Sequence, residues 1–331
     1  MMTPELPREL QIEVTGACNL RCRMCLVRYR EPLDRRRASI DFERFKALVG
    51  ALPELEKVTL QGLGEPLMAP ELFAMLEYGA ARGLRMGFNT NATLLTRATA
   101  ERLVDVQLDW LHVSLDGATA ATYESIREGS RFDKVERNVR GLVEVMRARG
   151  AVRPRLSIVF VAMRRNLAEL PDVVRLAAAW GIPTLRVQNL SHSFSDTDPA
   201  GDYQEIREFA EAEALWQSPS AAADGVLDDA RALAAALGVQ LRLPVLDGEA
   251  APPPGQPGCD WPWRSAYVRQ DGRVQPCCML MGADRAILGD LAAAPFPVIW
   301  RGAGYEAFRA ALVTDKPPDV CRGCSMYRGV F

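Results

Sequence analysis

The chain contains 331 residues, of which 48% are hydrophobic and 25% are charged, and its net charge is −2. This composition is typical of globular proteins and excludes a disordered or fibrous chain, and the length allows one large α/β unit with an appendage. The charge gives no electrostatic reason to expect a nucleic acid or an anionic membrane as a partner.

The N-terminal sequence and the cysteine content indicate the compartment. Residues 1–10 combine acids and prolines, whereas a secretory signal has a basic patch followed by an apolar run. The longest clean apolar stretch, residues 156–163, is far shorter than the roughly 20 residues that span a bilayer. We therefore expect a cytoplasmic protein with no membrane partner, whose eight cysteines are metal ligands or catalytic thiols instead of disulfides.

Six short β-rich runs alternate with helical stretches. They lie near residues 10–14, 57–60, 85–89, 111–115, 156–161 and 184–188. Between them, apolar residues recur at spacings of three and four, as they do on one face of a helix. This alternation predicts parallel strands joined by right-handed crossovers, and thus an α/β fold with a partial (β/α)6 TIM-like barrel.

A change of composition divides the chain. Two more helices are predicted at 203–216 and 226–237, after which the Pro- and Gly-rich segment 247–258 excludes both helix and central strand. We predict a barrel domain over residues 1–246, a linker over 247–258 and a small domain over 259–331. The small domain should contain a β-hairpin around Asp271-Gly272 and a helix near 298–312.

Three of the cysteines, Cys18, Cys22 and Cys25, lie in a loop after the first predicted strand. A structural zinc site normally uses four protein ligands, and here there are three with no histidine nearby. A 4Fe-4S cluster has four iron corners, so three thiolates leave one iron open for an exogenous ligand. The pattern therefore favours an iron-sulfur cluster with one vacant coordination position.

Four segments together resemble the radical S-adenosylmethionine (radical SAM) enzymes. The cysteine loop, with three and then two intervening residues, is similar to the family's cluster-binding pattern. "QGLGEP" at 61–66 resembles the GGEP loop, and "NTNATLL" at 89–95 resembles TNGTLL, with alanine where the family often has glycine. "VSLDG" at 113–117 begins the fourth segment. Each segment follows a predicted strand in chain order, which a chance match does not explain.

The resemblance implies which residues hold SAM. The GGEP-like loop would receive the methionine amino group, and Ser114 and Arg127 would bind the carboxylate. Met24 occupies a position that is commonly aromatic and that contacts the adenine through its backbone. The implied SAM-binding residues are Met24, Gly62, Gly64, Glu65, Asn91, Ser114 and Arg127.

A second group of cysteines lies near the C-terminus. As a bare pattern, Cys259, Cys277, Cys321 and Cys324 could hold zinc. Behind such a barrel they resemble the twitch domain, a shortened relative of the SPASM extension, and this implies that all four thiolates hold one auxiliary 4Fe-4S cluster. The implied cofactors are SAM and two 4Fe-4S clusters per chain.

Cys278 and the two histidines remain after these assignments. Cys278 would be either a hydrogen-atom donor to a substrate radical, as in epimerases of the family, or a structural thiol of the hairpin, in which neighbouring side chains point to opposite faces. We expect His112 to be packed or hydrogen-bonded on its strand, and His192 to be a solvated loop residue.

The resemblance implies an enzyme that cleaves SAM reductively to a 5'-deoxyadenosyl radical and removes a hydrogen atom from a small-molecule substrate. A closed auxiliary cluster is suited to accept one electron, which favours a net two-electron oxidation. Because the interval from Cys259 to Cys277 resembles that of twitch-bearing aminocyclitol dehydrogenases, our first expectation is dehydrogenation of a sugar or aminocyclitol hydroxyl. Epimerisation through Cys278 is the second expectation, and maturation of a ribosomally made peptide is the third. A flavodoxin- or ferredoxin-type protein would be the reductant. A non-catalytic iron-sulfur or zinc-binding protein is the alternative from another class.

Overall fold

A single ten-stranded sheet organises the protein. The computed structural model describes residues 5–29, 38–194, 203–216, 221–245, 258–280 and 285–331. The strands are β1 (Glu9–Ile12), β2 (Lys57–Thr59), β3 (Arg85–Thr90), β4 (Trp110–Ser114), β5 (Arg155–Val161), β6 (Thr184–Gln188), β7 (Gln240–Arg242), β8 (Ser265–Val268), β9 (Arg273–Gln275) and β10 (Gly289–Asp290). Their order in the sheet is β10-β9-β8-β1-β2-β3-β4-β5-β6-β7.

Helices connect most of the strands. They are α1 (Phe42–Gly50), α2 (Leu72–Ala81), α3 (Arg97–Asp105), α4 (Ala120–Ile126), α5 (Phe132–Ala148), α6 (Leu170–Trp180), α7 (Gln204–Glu213), α8 (Ala221–Leu237), α9 (Trp261–Arg264), α10 (Phe296–Trp300), α11 (Ala303–Leu312) and α12 (Asp319–Arg322). Short 3-10 turns occur at Leu26–Tyr29, Pro66–Met68 and Leu167–Glu169. Within the described part of the chain, no helix is both long enough and apolar enough to cross a membrane.

The strands from β1 to β7 pair in parallel, as expected of a partial βα barrel. All six predicted strands are present, with ends within two residues of the expected positions. The prediction missed β7, which pairs with β6, because its three residues are too short and too exposed to give a period-2 signal. The predicted barrel architecture is therefore confirmed, with one additional strand at its edge.

The apolar residues that recur along helix α5 form its buried face. Val135, Val139, Leu142 and Val143 share one helix face at spacings of four, three and one, and all are buried. They belong to the continuous apolar core that also contains the alternate residues of the barrel strands. The opposite face of each central strand points into the barrel interior, where the candidate site lies.

The predicted C-terminal hairpin is present and extends the barrel sheet. Strand β8 pairs in parallel with β1, with Leu10 opposite Ala266, and β9 returns antiparallel to β8. Gly272 adopts the left-handed conformation that the connecting turn requires, with φ of 93°. The predicted helix at 298–312 is instead two helices. The helical conformation is interrupted at Gly302, which is the N-cap of α11. The predicted linker 247–258 lies outside the described residues except for Gly258.

The C-terminal segment contacts the opposite side of the barrel. The backbone amide and hydroxyl of Ser325 both donate to the carbonyl of Ser191, at 3.1 and 3.0 Å. The side-chain amide of Asn189 donates to the carbonyl of Val330 at 2.5 Å. Because Asn189 and Ser191 follow β6 while β8 borders β1, the C-terminal segment lies across the gap between the two sides of the partial barrel.

The packing of α5 gives a testable stability difference. Leu142→Ala should lower the free energy of unfolding by about 2–5 kcal/mol, because the side chain is fully buried and its removal leaves a cavity. Leu237→Ala, at a position that is 44% exposed, should change it by less than about 0.5 kcal/mol. Urea unfolding of both variants measures the difference, and equal midpoints would contradict the assigned core.

Candidate active site

A cavity of about 1100 Å³ lies inside the barrel. Its wall contains the cysteine triad and every residue that the sequence implied for SAM binding: Cys18, Cys22, Cys25, Met24, Gly62, Gly64, Glu65, Asn91, Ser114 and Arg127. These residues come from the loops or strand ends of β1 to β4, so the parallel sheet brings together segments that are up to 109 positions apart, from Cys18 to Arg127. Their individual roles stay predictions.

The electrostatics of the triad fit a metal cluster. Burial, together with repulsion from the neighbouring thiols, raises the pKa of Cys18 to about 11 and that of Cys22 to about 12, although Arg127 opposes both shifts. Three neighbouring thiolates would repel each other unless a cationic group bound them. Among the described residues, no set of His, Cys, Asp or Glu side chains is arranged around a single metal ion. Each thiolate of an iron-sulfur cluster binds its own iron, so the three sulfurs need not converge on one point.

Glu65 joins the loops that follow β1, β2 and β3. Its carboxylate accepts hydrogen bonds from the hydroxyl of Thr90 at 2.7 Å and from the amide of Asn91 at 2.8 Å. Its own amide donates to the carbonyl of Ala17 at 2.9 Å. Burial raises the pKa of Glu65, while these hydrogen bonds to the carboxylate oppose the shift. The side chain is thus engaged within the protein, where it fixes the relative positions of the three loops.

The two loop glycines are required by close contacts. A Cβ on Gly64 would lie 2.1 Å from the carbonyl oxygen of Thr15, and one on Gly62 would lie 2.2 Å from the Cγ of Glu13. Both distances are sterically forbidden, so only glycine allows this loop to approach β1 so closely. The motif "QGLGEP" therefore has a structural reason that is independent of any ligand.

Glu13 is a supporting residue next to the site that the sequence analysis missed. One oxygen of its buried carboxylate accepts hydrogen bonds from the hydroxyl of Tyr267 at 2.5 Å and from the amide of Leu63 at 3.0 Å. The other oxygen is buried with no hydrogen-bond partner in the described part of the chain. Because Leu63 and Tyr267 both line the large cavity, Glu13 holds two parts of its wall together. The available signal was an acid at the end of the apolar strand "LQIEV".

Asn91 connects its loop to the cysteine loop. Its side-chain amide donates to the Oδ1 of Asn19 at 3.0 Å and lies 3.9 Å from the Sγ of Cys18. The next residue, Ala92, has a left-handed conformation with φ of 57°. This conformation explains why the resembling motif often has glycine at that position.

Arg127 is held by a buried carboxylate. Its Nη2 lies 2.6 Å from the Oδ2 of Asp116, and its Nη1 lies 3.8 Å from the Sγ of Cys22. Burial alone would lower the pKa of Arg127, but the attraction of Asp116 raises it, so the guanidinium stays charged. Asp116 was also missed, although it stands two positions after Ser114 in "VSLDG".

The C-terminal cysteines surround a second, small cavity. It is lined by Cys259, Cys277, Cys321 and Cys324 together with apolar side chains that include Phe308. Burial raises the pKa of Cys259 to about 11 and raises those of Cys277 and Cys324. An enclosed group of four thiols in an apolar shell fits the predicted auxiliary cluster.

Cys278 packs beside these four thiols but lines a different cavity. Its side chain lines the large cavity, together with Met279 and Tyr267, and does not line the small one. Burial raises the pKa of Cys278 to about 12, which keeps it a neutral thiol. Position alone is compatible with both of its predicted roles.

The expectation for His112 is confirmed and that for His192 is wrong. The Nδ1 of His112 lies 3.0 Å from the Oδ1 of Asn89, so the expected hydrogen-bonded histidine is confirmed. The expectation of a solvated His192 is wrong, because this side chain is only 1% exposed. Its Nδ1 accepts from the amide of Phe194 at 2.8 Å, so its Nε2 donates to the carbonyl of Val320 at 2.6 Å. His192 thus joins the loop after β6 to the CxxC segment.

Family models match the chain in two regions. Residues 12–177 match the Radical SAM superfamily, and residues 259–325 match the SPASM iron-sulfur cluster-binding domain. Because the first match covers half of the chain, the protein belongs to the radical SAM superfamily, whose members are enzymes. Its cofactors are SAM and 4Fe-4S clusters, including an auxiliary cluster of the C-terminal domain.

Individual relatives differ in identity and in how much of the chain they match. Mycofactocin maturase MftC from Mycobacterium tuberculosis is 31% identical over 201 residues, which are 60% of this chain and 48% of that protein. The chain thus spans about half the length of the first curated relatives it matches. AdoMet-dependent heme synthase from Methanosarcina barkeri is 28% identical over 96% of this chain and 88% of that protein. Streptococcus suis SuiB bound to precursor peptide SuiA has the same fold, with a TM-score of 0.66 at 15% identity over 98% of this chain and 71% of SuiB.

The iron content tests the two cysteine groups. Anaerobic reconstitution should give about eight irons per chain, and Cys321→Ala/Cys324→Ala should give about four, since each cluster contributes about four. Cys278→Ala is the matched control and should retain about eight. Iron and sulfide analysis with electron paramagnetic resonance of the reduced protein provides the measurement. A loss of iron in the Cys278 variant equal to that in the double variant would contradict the separation of Cys278 from the auxiliary site.

The buried ion pair gives a second prediction. Asp116→Asn should lower the free energy of unfolding by about 3 kcal/mol, because it leaves the guanidinium of Arg127 buried without a charged partner. Asp172→Asn breaks an exposed pair with Arg175 and should change it by less than about 1 kcal/mol. Urea unfolding measures stability, and equilibrium dialysis measures SAM affinity, which should fall in the Asp116 variant only. Unchanged SAM affinity would show that Arg127 does not need Asp116 for its position.

Proposed function

We propose that the cysteine triad binds the 4Fe-4S cluster that holds SAM, and that the large cavity binds SAM and the substrate together. Cys18, Cys22 and Cys25 would be the cluster ligands, and the fourth iron would accept SAM. The observation that carries this proposal is that all ten residues of the triad and of the implied SAM set line one cavity. The four thiols of the small cavity would hold the auxiliary cluster.

The chain's own residues would position SAM and exclude water. When bound, the reduced cluster and SAM supply a 5'-deoxyadenosyl radical that removes a hydrogen atom from the substrate. The guanidinium of Arg127, fixed by Asp116, and the hydroxyl of Ser114 would bind the carboxylate end of SAM. The backbone of the loop from Gly62 to Glu65 would receive the amino end, with Met24 beside the adenine. A water-excluding barrel interior protects the reaction from competing hydrogen donors.

We propose a peptide as the substrate. Mycofactocin maturase MftC is similar to 60% of this chain, and Streptococcus suis SuiB, which has the same fold, binds the precursor peptide SuiA. The cavity supports this proposal because about 1100 Å³ can receive an extended segment of several residues next to the SAM site. The first expectation from the sequence, dehydrogenation of a sugar or aminocyclitol hydroxyl, gains no support from MftC or heme synthase.

Heme synthesis is the second candidate, favoured by one observation. The similarity to the Methanosarcina barkeri heme synthase extends over almost the whole of both chains, whereas that to MftC covers about half of MftC. A tetrapyrrole would then occupy the same cavity.

A flavodoxin- or ferredoxin-type protein remains our proposed reductant. Our proposed domains remain the barrel domain at 1–246, the linker at 247–258 and the small C-terminal domain at 259–331.

Product analysis tests the proposal. Incubation with SAM and dithionite under anaerobic conditions should release 5'-deoxyadenosine, and Cys22→Ala should abolish this release because the cluster loses a ligand. Addition of a peptide that binds in the cavity should increase the release, because hydrogen abstraction from the peptide then competes with unproductive decay. Absence of 5'-deoxyadenosine from fully reconstituted protein would overturn the proposal.

The role of Cys278 is tested separately. If the enzyme oxidises its substrate, Cys278→Ala should retain turnover, since no hydrogen atom returns to the product. If it is an epimerase, the product formed in deuterium oxide should carry deuterium at the inverted carbon, and Cys278→Ala should abolish turnover. Mass spectrometry of the product distinguishes the two, and loss of turnover together with deuterium incorporation would contradict the oxidative assignment.

A further inference from the structure

Two arginines line the large cavity from neighbouring strands. Arg186 on β6 is half-buried and Arg242 on the edge strand β7 is exposed, and the two are register partners. Adjacent strands lie about 4.8 Å apart, so the two side chains start from the same wall and point to the same side of the sheet. The same row continues through Val159 of β5 to Ser114 of β4. Arg186 is therefore two strands, or roughly 10 Å, from a residue of the proposed SAM site.

Two other cations of the cavity wall have carboxylate partners, whereas Arg147 and Arg155, near the start of β5, line the cavity and have none in the described ranges. Lys57 lies 3.1 Å from the carboxylate of Glu9, and Arg127 lies 2.6 Å from that of Asp116. Neither Arg186 nor Arg242 has a carboxylate within 4.0 Å anywhere in the described ranges. The guanidinium of Arg242 contacts only a neutral group there, the side-chain oxygen of Gln240 at 3.4 Å.

The local field favours an anion between the two arginines. Burial lowers the pKa of Arg186, and repulsion from Arg242 lowers it further. Burial and the positive charges of Arg186, Arg242 and Lys57 lower the pKa of His112 to about 4, so this histidine is neutral at pH 7 and carries no compensating charge. A bound anion would relieve the repulsion between the guanidinium groups and satisfy their N–H donors.

We propose that Arg186 and Arg242 bind a carboxylate of the substrate and so orient the substrate toward the SAM site. In the peptide that the proposed function assigns to this cavity, on which this inference rests, the carboxylate is an acidic side chain or the C-terminus. Two guanidinium forks on one wall can hold both oxygens of such a group. The site lies in the row of Ser114, at the side of the cavity formed by β6 and β7.

A binding selection tests this site without turnover. A mixed library of random eight-residue peptides, half with free and half with amidated C-termini, is selected on the reconstituted enzyme with SAM and without reductant. Wild-type protein should enrich acidic or C-terminally free peptides over amidated ones. Arg186→Gln and Arg242→Gln should each weaken binding of a selected peptide about tenfold, as expected for the loss of a charge-assisted contact. Arg186→Lys should fall between wild type and Arg186→Gln, because it keeps the charge and loses the fork.

Controls separate the possible failures. Arg82→Gln replaces an exposed arginine outside the cavity wall and should leave peptide binding unchanged. Release of 5'-deoxyadenosine without substrate should be the same in Arg82→Gln and wild type, because Arg82 lies outside the cavity wall. If this release occurs but no acidic preference is found, the arginine site is wrong and the proposed enzyme class stands. If no release occurs in wild type, the proposed function itself fails.

A second titration, with a tetrapyrrole, tests whether the bound carboxylate belongs to a peptide or to a tetrapyrrole. Protoporphyrin IX and its dimethyl ester are titrated into the same proteins, with fluorescence quenching as the readout. A preference for the acid that disappears in Arg186→Gln, without acidic enrichment among peptides, would support a carboxylate site but overturn its assignment to a peptide. Equal binding of acid and ester, or of acidic and amidated peptides, by all the variants would overturn the site.

Discussion

The candidate site depends on the buried carboxylate of Glu65. The carboxyl ends of parallel strands lie at one end of the barrel, but the strands do not fix the positions of the loops that follow them. Glu65 does so, because its carboxylate binds Thr90 and Asn91 of one loop while its amide binds Ala17 of another. These hydrogen bonds set the relative positions of the cysteine loop, the loop of Gly62 to Glu65 and Asn91, whereas Asp116 positions Arg127.

A second constraint is the closure of the partial barrel. The C-terminal hairpin continues the sheet beyond β1, and the CxxC segment contacts the loop after β6 through His192 and Ser191. The same contacts that cover the open side also bring the C-terminal thiols beside the cavity wall. Cys278 and Met279 face the large cavity, while Cys277 faces the small one. A substrate in the large cavity would thus lie between the two proposed clusters.

Much of this arrangement could be predicted from the sequence, because its signals are local. Strand runs, helix periodicity, the Asp271-Gly272 turn and the cysteine spacings are each readable within a few residues. The sequence could not show that Glu13 pairs with Tyr267, which is 254 positions away, or that His192 is buried against Val320. It also could not show that Arg186 and Arg242 are register partners, since β7 is too short to be recognised before its pairing is known.

The most direct test of the account is pulsed electron paramagnetic resonance of the reduced protein with SAM labelled with nitrogen-15 at its amino group. The account predicts a nitrogen-15 coupling to one cluster, which persists in Cys321→Ala/Cys324→Ala and disappears in Cys22→Ala. A coupling that depends on Cys321 and Cys324 but not on Cys22, or no coupling in the wild-type protein with both clusters present, would contradict it.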